Sequence, residues 1–280
     1  MAKAVKKAKQ QQEKFFVTIL GCGTSTGAPM IGMQGMPQFK NPKNHRLRSS
    51  LLLEPFGRGG PAVVIDTTPD FREQALRYFP QKNPRLDAVL LTHSHADHLH
   101  GLDDIRPFNF YQKNSIPLYA EPHILDDVKT KFSYIFQPTQ EGGGKPRLSI
   151  YPITNEPFFL TGTEEPKLHK LQIIPLYLIH GGISCLGFRI RNIAYLTDCS
   201  YIPAETIAKM QGLDLLVLDC LRFKPHTTHL HVEQSLEYAK KIGAKKTVFT
   251  HMGFELEYES FRKTLPRGIV PAYDGMQFRF

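Results

Sequence analysis

The chain has 280 residues, of which 41% are hydrophobic and 22% charged, and its formal net charge is +9 at pH 7. This composition is typical of a folded, water-soluble protein with a large core, and no apolar run reaches the ~18 residues that a membrane span needs. The four cysteines lack CxxC spacing, which disfavours a disulfide framework and a zinc knuckle and makes a reducing cytoplasm the expected location.

The first 14 residues carry five lysines and one glutamate, so they account for +4 of the net charge. We interpret residues 1–14 as a basic, disordered-like tail, because no apolar segment follows the lysines as a signal peptide would require. Residues 15–280 show no shift in composition and no repeat, which predicts a single domain. This body is only mildly basic, so a small anionic substrate fits it better than a long nucleic-acid track.

Short apolar segments alternate with helical patterns along the chain, which indicates an α/β fold. Residues 101–107 predict a short helix or turn, and the glycine-rich residues 137–147 predict either a lid or a plain connector. The predicted helices are 70–78, 121–136, 203–210 and 232–242. The predicted strands are 15–20, 49–54, 62–66, 88–91, 116–120, 148–154, 169–179, 183–190, 193–197, 213–218, 246–250 and one or two within 269–280.

Two polar loops separate the first predicted strand from the second. Residues 21–29, GCGTSTGAP, combine glycines with small hydroxyl residues, but no GK[ST] follows, so the rim of a site is a better interpretation than a P-loop. Residues 31–48 are irregular and end in HRLR. Arg46 and Arg48 are candidate substrate-binding residues, because a guanidinium fits the oxygens of a phosphate. A solvated loop is an equally acceptable interpretation.

The sequence THSHADH at residues 92–98 directly follows a predicted strand. In an extended chain His93 and His95 point to the same side, and a helix that begins just after them would let Asp97 and His98 face the same cleft. Clustered imidazole and carboxylate groups at fixed spacing are what transition-metal sites require. We therefore predict a metal site here. A solvated run of polar residues at a strand end is the alternative.

Three further candidate ligands follow predicted strands in the second half of the chain, namely His180, Asp198 and His251. A single polar residue at a strand end is usually only a turn residue. The strand ends of a layered α/β protein converge on one edge, however, and ligand sites gather there. Together with residues 92–98 these three supply five histidines and two aspartates, enough for two divalent metal ions that share a carboxylate. This donor set suits zinc best, and manganese or iron would also fit.

The THSHADH sequence resembles the HxHxDH signature of the metallo-β-lactamase superfamily, and His180, Asp198 and His251 follow in that family's order. The resemblance covers nearly the whole chain beyond the basic tail. Its flanking features, including the 21–29 loop and AYDGM at 272–276, resemble the branch that contains the phosphodiesterase of the carbon–phosphorus lyase pathway. The tRNA 3′-processing nuclease is a more distant relative. The resemblance implies an αββα sandwich of two mixed sheets flanked by helices, with the site at one edge.

The resemblance also implies which residues hold each metal ion. Asp66 would lie behind the ligands and orient them, and a metal-bridging hydroxide would attack phosphorus. The branch carries an extra structural zinc on cysteines equivalent to 30–48; this chain has no cysteine there, which predicts no third zinc. One ion would be held by His93, His95 and His180, the second by Asp97, His98 and His251, and Asp198 would bridge the two.

A histidine just before the helix at 232–242 serves the phosphate and the leaving group in the resembling branch. His229 is the best match and His226 is the second choice, because an imidazole can bind a phosphate oxygen and can also donate a proton. Asp97 is a further catalytic candidate in addition to its role as a ligand. The alternative interpretation is that both histidines are only loop residues at a helix start.

The leading hypothesis is a dinuclear metal-dependent hydrolase that cleaves a small phosphodiester, with a cyclic nucleotide or a cyclic ribose phosphate as the expected substrate. A tRNA-processing-type nuclease is the second hypothesis, although residues 99–179 contain no long basic arm. A lactone or thioester hydrolase on the same fold is the third, and a metal-binding module without catalysis is the last. A nucleic-acid partner is not favoured, a membrane partner is not expected, and a homodimer is left open.

Overall fold

Two mixed β-sheets of seven strands each form the centre of the computed structural model, which describes residues 14–138 and 143–280. Residues 1–13 of the basic tail and part of the 137–147 loop lie outside this description. The strands are β1 (Phe16–Gly21), β2 (Ser50–Glu54), β3 (Val63–Ile65), β4 (Ala88–Leu90), β5 (Ile116–Ala120), β6 (Leu148–Pro152), β7 (Phe158–Phe159), β8 (Gln172–His180), β9 (Ile183–Ile190), β10 (Ile193–Leu196), β11 (Leu215–Asp219), β12 (Lys246–Thr250), β13 (Ile269–Pro271) and β14 (Gln277–Arg279).

Helices cover the sheets, and short 3-10 turns occur in the connections. The α-helices are α1 (Phe71–Tyr78), α2 (Ala96–Leu99), α3 (Arg106–Gln112), α4 (Pro122–Lys131), α5 (Ser133–Phe136), α6 (Ala204–Ala208), α7 (Val232–Ile242) and α8 (Tyr258–Thr264). The 3-10 turns are Pro37–Lys40, Pro42–Asn44, Leu102–Ile105 and Leu168–Lys170.

The side chains of the central strands divide between two apolar layers. Because successive residues of a strand point to opposite faces, Leu51 and Leu53 of β2 lie in the large core with Leu178 and Phe188 of the second sheet. Leu52 points the other way, into a second core formed with helix residues of the first half of the chain. The molecule is therefore a four-layered sandwich, and the predicted fold class is confirmed.

Parallel strands place their carboxyl ends at one edge of the sandwich. The first sheet has the order β14-β1-β2-β3-β4-β5-β6 and the second the order β13-β12-β11-β10-β9-β8-β7. Strands β3 to β6 are parallel in the first sheet, and β10 to β13 are parallel in the second. Hydrogen bonds connect the two sheets near this edge. The Leu186 amide of β9 donates to the Thr92 carbonyl, and the Met252 amide donates to the Cys22 carbonyl.

Most predicted elements are present, with three differences. The predicted helix at 121–136 is broken at Phe132, whose backbone (φ −120°, ψ 40°) leaves the helical region and separates α4 from α5. The turn predicted at 101–107 continues into α3, in which Pro107 stands in the first helical turn, where its missing N–H costs nothing. Helix α8 and the two-residue β7 were not predicted, because both are too short to show a clear period.

The structure also bears on membrane crossing and on the state of the cysteines. Within residues 14–138 and 143–280, no helix combines the length and the apolarity that crossing a membrane requires. The four cysteines are all buried and unpaired, and burial raises the pKa of each thiol above its usual value.

Candidate metal centre

Seven imidazole and carboxylate side chains converge at the edge where the parallel strands end. Their ligand atoms form two groups that share Asp198, and the atoms of each group lie within 4.8 Å of one another. Asp198 and His251 also form a third group of the same kind with Asp219 and His229. The structure thus brings together every metal ligand that the sequence predicts. One group, which we call the His93 group, is His93, His95, His180 and Asp198; the other, the His251 group, is Asp97, His98, Asp198 and His251.

Asp198 stands between the two groups. Its Oδ2 lies 3.7 Å from His93 Nε2 and 3.9 Å from His180 Nε2. Its Oδ1 lies 3.1 Å from His98 Nε2 and 3.3 Å from His251 Nε2. Each oxygen therefore faces a different group, which is the arrangement a bridging carboxylate requires.

Asp97 completes the His251 group from the opposite side. Its Oδ2 lies 3.3 Å from His98 Nε2 and 3.5 Å from His251 Nε2. Although burial alone would raise the pKa of Asp97, the neighbouring imidazoles of His98 and His251 hold it below its usual value. The carboxylate is thus ionised across the physiological range, as a metal ligand must be.

The donor set fits divalent metal ions. Buried polar nitrogens normally have a hydrogen-bond partner, yet the Nε2 atoms of His93, His98 and His251 are buried without one. The other ring nitrogen of His98 is held by Asp66, and that of His180 by the Thr228 carbonyl. Unpartnered imidazole nitrogens that converge on carboxylates are what a bound cation would satisfy.

Three residues at this edge adopt a left-handed backbone, which is uncommon outside glycine. They are Asp66 (φ 65°), Asp198 (φ 55°) and His251 (φ 57°). Asp66 directly follows β3 and His251 directly follows β12. Asp198 stands two residues after the last residue of β10. Asp198 and His251 line the cleft and Asp66 lies behind the candidate ligands, and strained residues of this kind cluster at functional sites.

Asp66 orients the ligands from behind. Its Oδ1 accepts from the Thr92 amide at 2.9 Å, and its Oδ2 accepts from the Thr92 hydroxyl and from His98 Nδ1, both at 2.8 Å. Burial raises the pKa of Asp66, and the hydrogen bonds from His98 and Thr92 oppose that rise. The position matches the orienting role that the sequence predicts, because a carboxylate behind a ligating imidazole fixes the tautomer and the ring.

We expect Asp66→Asn to weaken zinc binding by about 10- to 100-fold, the usual cost of losing such a partner. Asparagine tolerates a positive φ, so the backbone is preserved while the negative charge and one of the two oxygens that accept from Thr92 and His98 are lost. The apparent Kd measured by competition with a chromophoric chelator tests this. Asp126→Asn, which removes an exposed carboxylate on α4, is the matched control. An unchanged Kd in Asp66→Asn would refute the orienting role.

His229 lies beside both metal-ligand groups. Its ring stacks on His251 with the centroids 4.6 Å apart, and its Nε2 lies 3.9 Å from Asp198 Oδ2. Its Nδ1 is 3.4 Å from Asp219 Oδ2. Burial alone would lower the pKa of His229, but Asp219 and Asp198 outweigh it and raise the pKa to about 9 in the absence of a metal. His229 can therefore hold a proton that faces the cleft.

Asp219 is the functional residue that the sequence interpretation missed. It is the last residue of β11 and is completely buried. One oxygen accepts from the Leu230 amide at 3.0 Å, and the other lies 3.7 Å from His251 Nδ1. Asp219 thus supports His229 and His251 together. Its place at a strand end, like that of Asp198, was the available signal, but VLDC has no neighbouring histidine in the sequence.

The remaining predicted residues lie farther from the ligands. His226 is half-buried on the same loop as His229, with the ring centroids 5.3 Å apart, and its Nδ1 accepts from the Thr228 amide. Arg48 pairs with Asp70 at 2.7 Å and donates to the Ser25 carbonyl. It therefore supports the 21–29 loop, whose residue Ser25 reaches the cleft.

Arg46 does not have the surroundings of a substrate-binding residue, and we correct that prediction. Its side chain is only 2% exposed. Its guanidinium donates to the Gly253 carbonyl at 2.9 Å and to the Leu256 carbonyl. These bonds connect the loop before β2 to the segment after β12. Arg46 is thus a structural residue, and its pKa is lowered by burial.

Five of the seven candidate ligands line one cavity. Its volume is about 350 Å³, which lies in the range of small-molecule sites. The half-exposed Ile183, from the hairpin between β8 and β9, forms part of the rim. The wall is lined by Ser25, His95, Asp97, His180, Gly182, Ile183, Asp198, Thr228, His229 and His251.

A two-sheet sandwich with histidine- and aspartate-rich ligand groups at one edge defines a metallo-β-lactamase fold. The family model described as beta-lactamase superfamily domain matches residues 62–252. A crystal structure described as a new diphosphatase from the PhnP family is 39% identical, with a TM-score of 0.83, over 95% of this chain and 97% of that one. The chain therefore belongs to the beta-lactamase superfamily and, within it, to the PhnP family.

More distant relatives show the same fold. Zinc-bound PqqB from Methylobacterium extorquens has a TM-score of 0.74 at 21% identity, over 94% of this chain and 99% of that one. The short form of human tRNase Z has a TM-score of 0.64 at 19% identity, over 94% and 98%. A Porphyromonas gingivalis protein named octanoyltransferase is 33% identical over 262 residues, which are 92% of this chain. The chain spans only 50% of that protein's length.

Proposed function

We propose that this protein is a dinuclear, zinc-dependent phosphodiesterase of the cytoplasm, which cleaves a small diester such as a cyclic nucleotide or a cyclic ribose phosphate. The observation that carries the proposal is the Asp198 carboxylate, whose two oxygens face two different ligand groups while His229 stands beside them. The zinc-bound PqqB relative and the imidazole-rich donor set both favour zinc.

The bound ions would supply Lewis-acid polarisation of the phosphoryl oxygens and a more acidic water. Residues of the chain itself would accommodate the substrate and supply the proton. The cavity of about 350 Å³ has room for a small molecule. His229, oriented by Asp219 at 3.4 Å, would donate a proton to the departing oxygen.

A phosphoanhydride is the second candidate substrate class, because the relative that is 39% identical is described as a diphosphatase. Both substrate classes present a phosphorus atom with one leaving oxygen, so the same groups would serve. They differ in the leaving group. A phosphate departs without a proton far more readily than an alkoxide does, so the anhydride depends less on a proton donor.

The experiment compares three substrates with zinc-loaded protein at matched metal content. These are bis(p-nitrophenyl) phosphate, 2′,3′-cyclic AMP and ADP-ribose, which contains a diphosphate. We expect turnover of the first two, with the higher kcat/KM for the cyclic ester. Turnover of ADP-ribose alone would show that the substrate is a phosphoanhydride and not a phosphodiester. No turnover of any of the three, with two zinc ions bound per chain, would refute the proposal.

A further inference from the structure

A second cavity lies on the opposite side of the first sheet's parallel strands from the metal centre. Its volume is about 470 Å³. One wall is α3, and the other is the segment that leads into β6, whose Arg147 carbonyl accepts from the Ile116 amide at the start of β5. The candidate ligands at 93–98 follow the carboxyl end of the neighbouring strand β4, whereas this groove adjoins the amino ends of β5 and β6. The cavity is lined by Arg106, Pro107, Asn109, Phe110, Lys113, Gly144, Lys145 and Arg147.

Four cationic side chains converge here. Arg106 interacts electrostatically with Asp104. For the other three, Lys113, Lys145 and Arg147, the described part of the chain offers no carboxylate within the 4.0 Å of an ion pair. Lys145 Nζ donates to the Gln137 carbonyl, and the Arg147 guanidinium donates to the Asn109 carbonyl. Cationic side chains that line one groove attract an anion to it. A phosphate is the anion that such a set of lysine and arginine donors fits best.

The walls of the groove are fixed by hydrogen bonds. Asn109 is 3% exposed, and its side-chain amide donates to the Asn114 and Arg147 carbonyls, while its Oδ1 accepts from the Arg147 amide at 2.9 Å. Arg106 donates to the Gly144 carbonyl at 2.8 Å across the groove. The cations are therefore attached to a built framework, which lowers the entropy lost when they bind a ligand.

An aromatic ring lies beside the cations. Phe110 is 67% exposed, and the Lys113 ammonium lies 4.2 Å from the centre of its ring. Tyr111, which is 56% exposed, contacts the Phe110 ring edge-on with the centroids 5.5 Å apart. An exposed ring next to phosphate-binding cations offers a surface on which a nucleobase can stack.

We propose that this groove is a second ligand site, which binds the phosphates of a nucleotide through Lys113, Lys145 and Arg147 and stacks the base on Phe110. The site is separate from the metal centre. It does not depend on the reaction catalysed there, so the two proposals can fail independently.

The test is calorimetric titration of the zinc-loaded full-length protein with α,β-methylene-ADP, whose anhydride cannot be hydrolysed. We expect Lys113→Gln combined with Lys145→Gln to weaken binding about tenfold or more, since two charge-assisted hydrogen bonds are lost. Phe110→Ser should weaken it by at least about fivefold through lost stacking. The matched control is Lys240→Gln combined with Lys241→Gln, which removes the same charge from exposed positions on α7.

Binding that is weakened by the groove variants, and is unchanged in the α7 control and in Asp198→Asn, supports the site. If binding is weakened equally by the groove lysine pair and by the α7 lysine pair, the nucleotide is attracted only by diffuse positive charge. That result would overturn the proposal. Loss in Asp198→Asn alone would place the nucleotide in the metal centre and also overturn it, as would no measurable binding. Phe110→Ser changes an exposed ring, so it tests the groove even if the lysine pair disturbs folding.

Discussion

Asp198→Asn is expected to lower kcat/KM for a phosphodiester by about a thousandfold or more. The carboxylate belongs to both ligand groups, so its loss weakens both metal positions at once. Each metal position contributes several kcal/mol of transition-state stabilisation, and 1.36 kcal/mol corresponds to a factor of ten in rate. Asparagine is preferred over alanine because it tolerates the left-handed backbone at this residue.

The measurement pairs kinetics on bis(p-nitrophenyl) phosphate with the metal content of the same sample. We expect fewer than two zinc ions per chain together with the loss of rate. Asp126→Asn removes an exposed carboxylate that belongs to no ligand group and should retain both the metal and the rate. An Asp198→Asn protein that keeps both zinc ions and most of its rate would show that the carboxylate does not bridge two metals.

The convergence of the candidate ligands could be predicted from the sequence because the signal is local or repeats at strand ends. The cluster at 92–98 is contiguous, and its immediate neighbours decide which way its side chains point. His180, Asp198 and His251 are distant in sequence, but each stands at the end of an apolar segment, and parallel strands bring such ends to one edge. Periodicity and topology were therefore sufficient.

Other features depend on contacts that no pattern encodes. Arg46 and Arg48 look equivalent in HRLR, yet one is buried against backbone carbonyls and the other is paired with Asp70. Arg46 is buried because it contacts the segment after β12, which lies more than 200 residues away in the sequence. Asp219 was missed for the same reason, since its significance arises only when β11 places it behind His229.

The second large effect concerns His229. We expect His229→Ala to lower kcat/KM for 2′,3′-cyclic AMP by about 10²- to 10⁴-fold, the usual contribution of a positioned proton donor. The same variant should lose less than about tenfold on bis(p-nitrophenyl) phosphate, because the p-nitrophenolate departs without needing a proton. The difference between the two substrates separates proton donation from a loss of metal or of folding, which would lower both rates alike.

His226→Ala is the matched control, because it removes an imidazole from the same loop that is not in contact with Asp219. It should change both rates only slightly. Asp219→Asn should reproduce the substrate dependence of His229→Ala in weaker form, since the carboxylate orients the imidazole and does not itself reach the cavity wall. Equal losses on both substrates in a His229→Ala protein that stays folded and keeps both zinc ions would assign His229 to phosphate binding. A larger loss in His226→Ala than in His229→Ala would identify His226 as the donor, in spite of the geometry that favours His229.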